Sequence, residues 1–158
     1  MTTSTGPTEY TLGTMDVAKV EKAVLQWFDL RKMHYRFEKS GATNLDLRVS
    51  TQNLVVDVNV FWNSTFLTVL CFLPFVVSPA AAEGIIVSLN VENLKMPLGC
   101  FELRRERICY KLGSTLGPSS DVEGILTSTI AYIVTTANVR GTALGRLCEE
   151  ANEKAEQV

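Results

Sequence analysis

Residues 54–73 read LVVDVNVFWNSTFLTVLCFL. Side chains alternate along an extended chain, so Leu54, Val56, Val58, Val60 and Trp62 share one face. Val55, Asp57, Asn59 and Phe61 share the other. Asn63-Ser64 is turn chemistry between two such runs, which predicts a hairpin with a two-residue turn. That turn pairs Trp62 with Thr65, Val60 with Leu67, Val58 with Val69, Val56 with Cys71 and Leu54 with Leu73. The reverse face pairs Phe61 with Phe66, Asn59 with Thr68, Asp57 with Leu70 and Val55 with Phe72. Apart from Thr65, the first face is wholly apolar. The second is mixed, yet more apolar than water usually tolerates on a sheet. It calls for a cover: the rest of the domain, a second copy of the chain, or a client. Phe61, Phe66, Leu70 and Phe72 are therefore the candidate partner or dimer surface.

The neighbouring segments extend this sheet and supply its helices. Val17, Val20, Val24 and Phe28, with Trp27 beside them, form one helical stripe. Tyr35 and Phe37 alternate with polar neighbours, residues 40–44 read as a loop, and Leu45, Leu47 and Val49 form a half-buried strand. Ser78-Pro79 opens a second helix, with Ile85, Ile86 and Leu89 as its buried stripe and an end near Asn90. Strands follow at about 100–104 and 107–112. Two turns keep their apolar residues together. The preferred one, Arg105-Glu106, sets Leu103 against Ile108 and Phe101 against Tyr110, leaving Cys100 and Cys109 only diagonal. Ser120-Asp121-Val122-Glu123 has the form of a capping box for a long last helix. Its stripe is Val122, Leu126, Ile130, Ile133, Ala137, Leu144 and Cys148, and Gly141 and Gly145 permit close approach of another element. The whole predicts a two-layer α/β (α+β) fold with a mainly antiparallel sheet, ordered α-β-β-β-(β)-α-β-β-α. Residues 1–13 are a flexible tail and 14–158 a single domain.

Composition narrows the function. The chain has 158 residues, 46% of them hydrophobic, and a net charge of −2. That balance leaves no basic footprint for nucleic acid. The apolar run 66–77 is too short to span a bilayer and contains Pro74. The N-terminus lacks the basic and apolar regions of a secretory signal, and the four cysteines show no paired spacing. A cytoplasmic protein with reduced thiols is expected, bound neither to membrane nor to nucleic acid.

Catalytic sets are missing as well. His34 is the single histidine, at a helix-to-strand junction, with no aspartate or cysteine at a catalytic spacing. Residues 140–145 lack the lysine of a phosphate loop. Asp46 and Asp57 on neighbouring strands read as structural carboxylates. No enzyme activity, cofactor or metal is expected.

The stretch Ser88–Leu103 resembles the segment of YbjN-like proteins in which a helix ends on asparagine, a proline-glycine turn follows, and a strand begins with an aromatic. The matching positions are Asn90, Pro97, Leu98, Gly99, Phe101 and Leu103. The resemblance implies a fold like that of type III secretion chaperones, a homodimer, and an unidentified protein client held against apolar surface. It carries over no catalytic residue. The function expected is a protein-binding module, chaperone-like or a regulatory adaptor. The alternative is a small-molecule-sensing domain with a pocket between the sheet and the C-terminal helix.

Overall fold

The computed structural model describes residues 13–40 and 42–157. Of the expected tail, only Gly13 lies among them. Six strands form one antiparallel sheet: β1 Tyr35–Ser40, β2 Ala42–Ser50, β3 Val55–Trp62, β4 Phe66–Val76, β5 Cys100–Arg104 and β6 Arg107–Thr115. Their spatial order is β1-β2-β3-β4-β6-β5. Helices α1 Val17–Leu30, α2 Ala82–Asn93 and α3 Val122–Glu156 pack on one face of it, with a 3-10 turn at Pro79–Ala81 leading into α2. The α+β class and the two-layer arrangement are as the alternation and helical stripes predict.

The central hairpin keeps its predicted faces but not its predicted register. Trp62 pairs with Leu67, Val60 with Val69, Val58 with Cys71 and Asp57 with Phe72. Each β3 residue from Asp57 to Trp62 therefore meets a partner two places further along. The cause is Asn63. Its Oδ1 accepts from the Thr65 amide at 2.8 Å, the Thr65 hydroxyl at 2.9 Å and the Phe66 amide at 2.8 Å. That local turn makes Ser64-Thr65 the loop and leaves Asn63 paired to Phe66. An even shift preserves which residues face the core.

The second hairpin has the preferred register. Leu103 pairs with Ile108, Phe101 with Tyr110 and Glu102 with Cys109. Arg105 and Glu106 take φ of 49° and 60°, the positive values of a twist-matched two-residue turn. The loop expected at 40–44 is shorter than predicted. β1 and β2 run to Ser40 and Ala42, which pair directly, and Gly41 lies outside the described residues.

Three helix details differ from expectation. Asp121, not Ser120, caps α3 by accepting from the Gly124 amide at 3.0 Å. Ser120 instead accepts from the Gly117 amide at 2.8 Å. Gly141 and Gly145 do make room for another element, but it is the sheet. Leu54 packs on Gly141, and a Cβ on Gly145 would lie 2.5 Å from Phe75 Cζ. In α2, Ile85 and Leu89 are buried while Ile86 is 46% exposed, and the helix runs on to Asn93. The stripe of α3 is buried from Val122 to Cys148 as predicted. Trp27 of α1 donates to Thr127 of α3 at 2.9 Å, tying the first helix to the last.

Candidate interaction surfaces

The helix-free face of the sheet carries the mixed rows. Asp57, Phe72, Cys109 and Glu102 follow one another across β3, β4, β6 and β5. Asn59, Leu70, Lys111 and Cys100 form the adjacent row. Leu70, Phe72 and Cys109 form a small apolar cluster with Phe61 packed against it. Leu70 is 4% exposed and Phe72 9%. Neither offers much surface to a partner. Phe61 is half-buried, and Phe66 at the start of β4 is 52% exposed.

The chain's own arginines supply the missing cover. Arg107 places its guanidinium 5.5 Å from the centre of the Phe72 ring. Its Nε donates to the Leu73 carbonyl at 3.0 Å and its Nη1 to Asp57 Oδ2 at 2.8 Å. The other Asp57 oxygen accepts from Arg48 Nε at 3.0 Å. A long cationic side chain can lay its apolar stem over a cluster while its head stays solvated and paired. Burial pushes the Asp57 carboxyl up, but the hydrogen bonds from Arg107 and Arg48 outweigh it and hold the group below its ordinary value. Arg104 pairs with Glu102 at 2.5 Å, and Asn59 donates to Asp46. Between these straps lies a shallow hollow of about 240 Å³, lined by Asn59, Phe61, Leu70, Phe72, Arg104 and Arg105.

The residues of the family-like turn are brought together differently from expectation. Gly99 has φ 66°, and a Cβ there would lie 2.5 Å from the Lys111 carbonyl oxygen, so the turn needs glycine. Phe101 is buried. Pro97 and Asn90 are exposed, and Asn90 contributes only its backbone carbonyl to Leu94. The structural asparagine is Asn93, which sequence reading missed. Its Nδ2 donates to the Phe101 carbonyl at 2.8 Å and its Oδ1 accepts from the Phe101 amide at 2.6 Å. A side-chain amide thus takes the place of a next strand at the β5 edge. Tyr110 locks the same turn by donating to the Leu98 carbonyl.

Burial first of all pushes the Cys71 and Cys109 thiols up to about 12, and Cys148 to about 11, so none is a ready nucleophile. His34 is exposed. Among the described residues, no group of three His, Cys, Asp or Glu side chains is placed to hold a metal ion, and no helix is long and apolar enough to cross a membrane.

No family model matches the chain, and no curated protein does. Solved structures do. YbjN from E. coli, a candidate transcription regulator, superposes with a TM-score of 0.50 at 14% identity, covering 77% of this chain and 93% of that one. An uncharacterised protein from Methanothermobacter thermautotrophicus gives a TM-score of 0.51 at 14% identity, covering 84% and 99%. The likeness shows the fold: the chain has a YbjN-like fold. Neither of these two structures is described as that of an enzyme.

Proposed function

We propose that the chain is a non-enzymatic, cytoplasmic protein-binding module, a chaperone-like or regulatory adaptor that works as a homodimer and takes its client on the helix-free face of the sheet. The observation that supports this reading is the patch on that face. Half-buried Phe61 lines a hollow rimmed by Arg104 and Arg105, and Phe66, 52% exposed, stands on the same face at the start of β4. Aromatic anchors with an arginine rim are the composition of binding hot spots. The edges of the sheet restrict how a client can bind. Asn93 occupies the β5 edge, so strand addition has β1 as its open edge. Against the sensing alternative, Leu54 and Phe75 fill the space where α3 crosses the sheet at Gly141 and Gly145.

Phe66→Asp tests this reading, because that side chain can change without unfolding the core. Tagged wild-type and variant chains are used to capture partners from the native cell extract. The variant is expected to lose the partners that the wild type retains, by a factor of about 10 or more in affinity, the cost of removing one aromatic anchor. Equal capture by both chains rules the sheet face out as the client surface.

A further inference from the structure

Two cations beside the hollow on the helix-free face are uncommitted. The β5–β6 hairpin, residues 100–115, carries Arg104, Arg105, Arg107 and Lys111 against Glu102 and Glu106. That local excess of positive charge sits in a chain whose net charge is −2. Arg107 is fully engaged, because its guanidinium donates to Asp57 and to the Leu73 and Phe72 carbonyls. Arg104 meets Glu102 through its Nε, and a guanidinium has further N–H donors in the same planar fork. Among the described residues, Arg105 and Lys111 form no ion pair. Arg105 is exposed and lines the hollow. Lys111 is half-buried and pairs across β6 and β4 with Leu70, which lines the hollow too.

Size and charge together define the occupant. The hollow holds about 240 Å³, below the roughly 300–1,000 Å³ of sites that enclose a small molecule. Its floor is Phe61, Leu70 and Phe72, so it suits one apolar side chain carried in on a longer partner. Arg104 and Arg105 line it from the β5–β6 turn, and Lys111 stands next to Leu70 on β6. An extended chain turns every second side chain to the same face. An aromatic residue seated in the hollow therefore brings the residues two places before and after it down onto the sheet, where the cations are. Asp or Glu at those places meets Arg and Lys, and Lys or Arg there meets like charge. A carboxylate on an arginine fork makes one of the stronger hydrogen-bonded pairs. Nucleic acid fits less well. Asp46, Asp57 and Glu102 lie on the same face, and a phosphate backbone needs more contacts than this face leaves open.

We propose that the hollow receives an acidic peptide segment, an aromatic residue flanked at two-residue steps by Asp or Glu, with Arg104, Arg105 and Lys111 taking its carboxylates. The proposal rests on the client reading above and names the chemical class of that client. The pairs lie near water, so they select the partner and speed its arrival more than they tighten it, and salt weakens them. A single segment with one anchor binds on the order of 100 μM.

Fluorescence anisotropy of a labelled peptide, Ser-Glu-Ser-Phe-Ser-Glu-Ser, titrated with the full chain at low ionic strength is the test. Replacing both Glu by Gln, or the Phe by Ser, should weaken binding at least ~10-fold. Raising the salt to about 1 M should weaken it as well. Arg105→Glu combined with Lys111→Glu should lose at least ~10-fold with an unchanged circular dichroism spectrum. Arg105→Lys combined with Lys111→Arg should stay within about threefold of wild type, because the charges remain. If the double reversal disturbs the fold, Arg105→Glu alone, on an exposed turn, carries the test with a loss of at least ~3-fold. The proposal is overturned if the peptide does not bind at about 1 mM, if the Gln peptide binds equally, or if the charge-reversed chain binds as wild type does. It is also overturned if a single-stranded oligonucleotide binds more tightly than the peptide and is lost with the same variant. Client capture from extract separates the two readings. Loss of capture with Phe66→Asp but not with the charge reversal leaves the sheet face standing and overturns the acidic class. Wild-type capture by both variants overturns both.

Discussion

The helix-free sheet face and the outer face of α2 carry comparable apolar side chains and meet water in opposite ways. On the sheet, Leu70 and Phe72 are 4% and 9% exposed although no helix lies over them. On α2, Val87, Val91 and Leu94 are 51% or more exposed although they sit in a regular seam. The difference lies in the neighbours. The sheet rows place Arg107 and Arg48 beside the cluster, with Asp57 to hold their heads. The α2 seam has only the short Ser88 and Asn90 beside its middle, and Lys95 at its end pairs with Glu92 at 2.7 Å while Leu94 stays 89% exposed. An apolar residue is thus available for binding when no long side chain is anchored across it.

The largest expected effect follows from Phe72. Pattern alone makes Phe66 and Phe72 equivalent members of one face, but burial separates them. Phe72→Asp puts a carboxylate into a closed cluster and should destabilise the fold by about 3 kcal/mol or more. Urea unfolding measures it. A loss under about 1 kcal/mol would mean that the cluster is open in solution and that the two faces are alike after all.

Arg107 comes next. Arg107→Ala removes the cover of Phe72 and one partner of Asp57, and should cost about 1–3 kcal/mol. It should also raise binding of a hydrophobic dye. Arg48→Ala removes the more exposed partner, 74% against 29%, and should cost no more than about 1 kcal/mol. Asp57 makes the same strap dependent on pH. Its folded carboxyl lies below the ordinary 3.8, so its contribution is present above that pH and is lost as pH falls through the lowered value. Asp57→Asn should therefore be less stable than wild type at pH 7, with a smaller loss on going to acid. A stability curve of wild-type shape in Asp57→Asn would assign the acid sensitivity to other carboxylates.

The same contrast explains what could be read from the sequence. The faces of β3 and β4 were legible because alternation survives any even shift. Their register was not, because the Asn63 side chain decides the turn and two turns fit the same letters. The second hairpin was legible because only one turn gives Leu103 an apolar partner. Asn93 was missed for Asn90, one helical turn earlier: asparagine suits a helix end at either place, and only the fold shows that the helix runs on to Asn93 and that this side chain reaches Phe101. The Arg107 strap leaves no local signal, since Asp57 lies 50 residues away in sequence. The α2 seam did leave one. Its spacing was visible, but the stripe of Ile85, Ile86 and Leu89 already gave the helix one face to bury.

The smallest expected effect is the cleanest probe of whether the outer face of α2 is bare in the single chain. Gly84 sits in a helix with no atom within 4 Å of its missing Cβ. Gly84→Ala should therefore gain only what alanine gains over glycine in an exposed helix, about 0.5–1 kcal/mol. For a chain of this length that is roughly 1–4 °C in melting temperature. The measurement belongs at a concentration low enough for monomer. There the methyl meets only water, and its sign reports the environment directly. A stabilised variant means an open face. A destabilised one means that something in the single chain already fills the space at Gly84, and then α2 and the sheet cluster are covered in the same way.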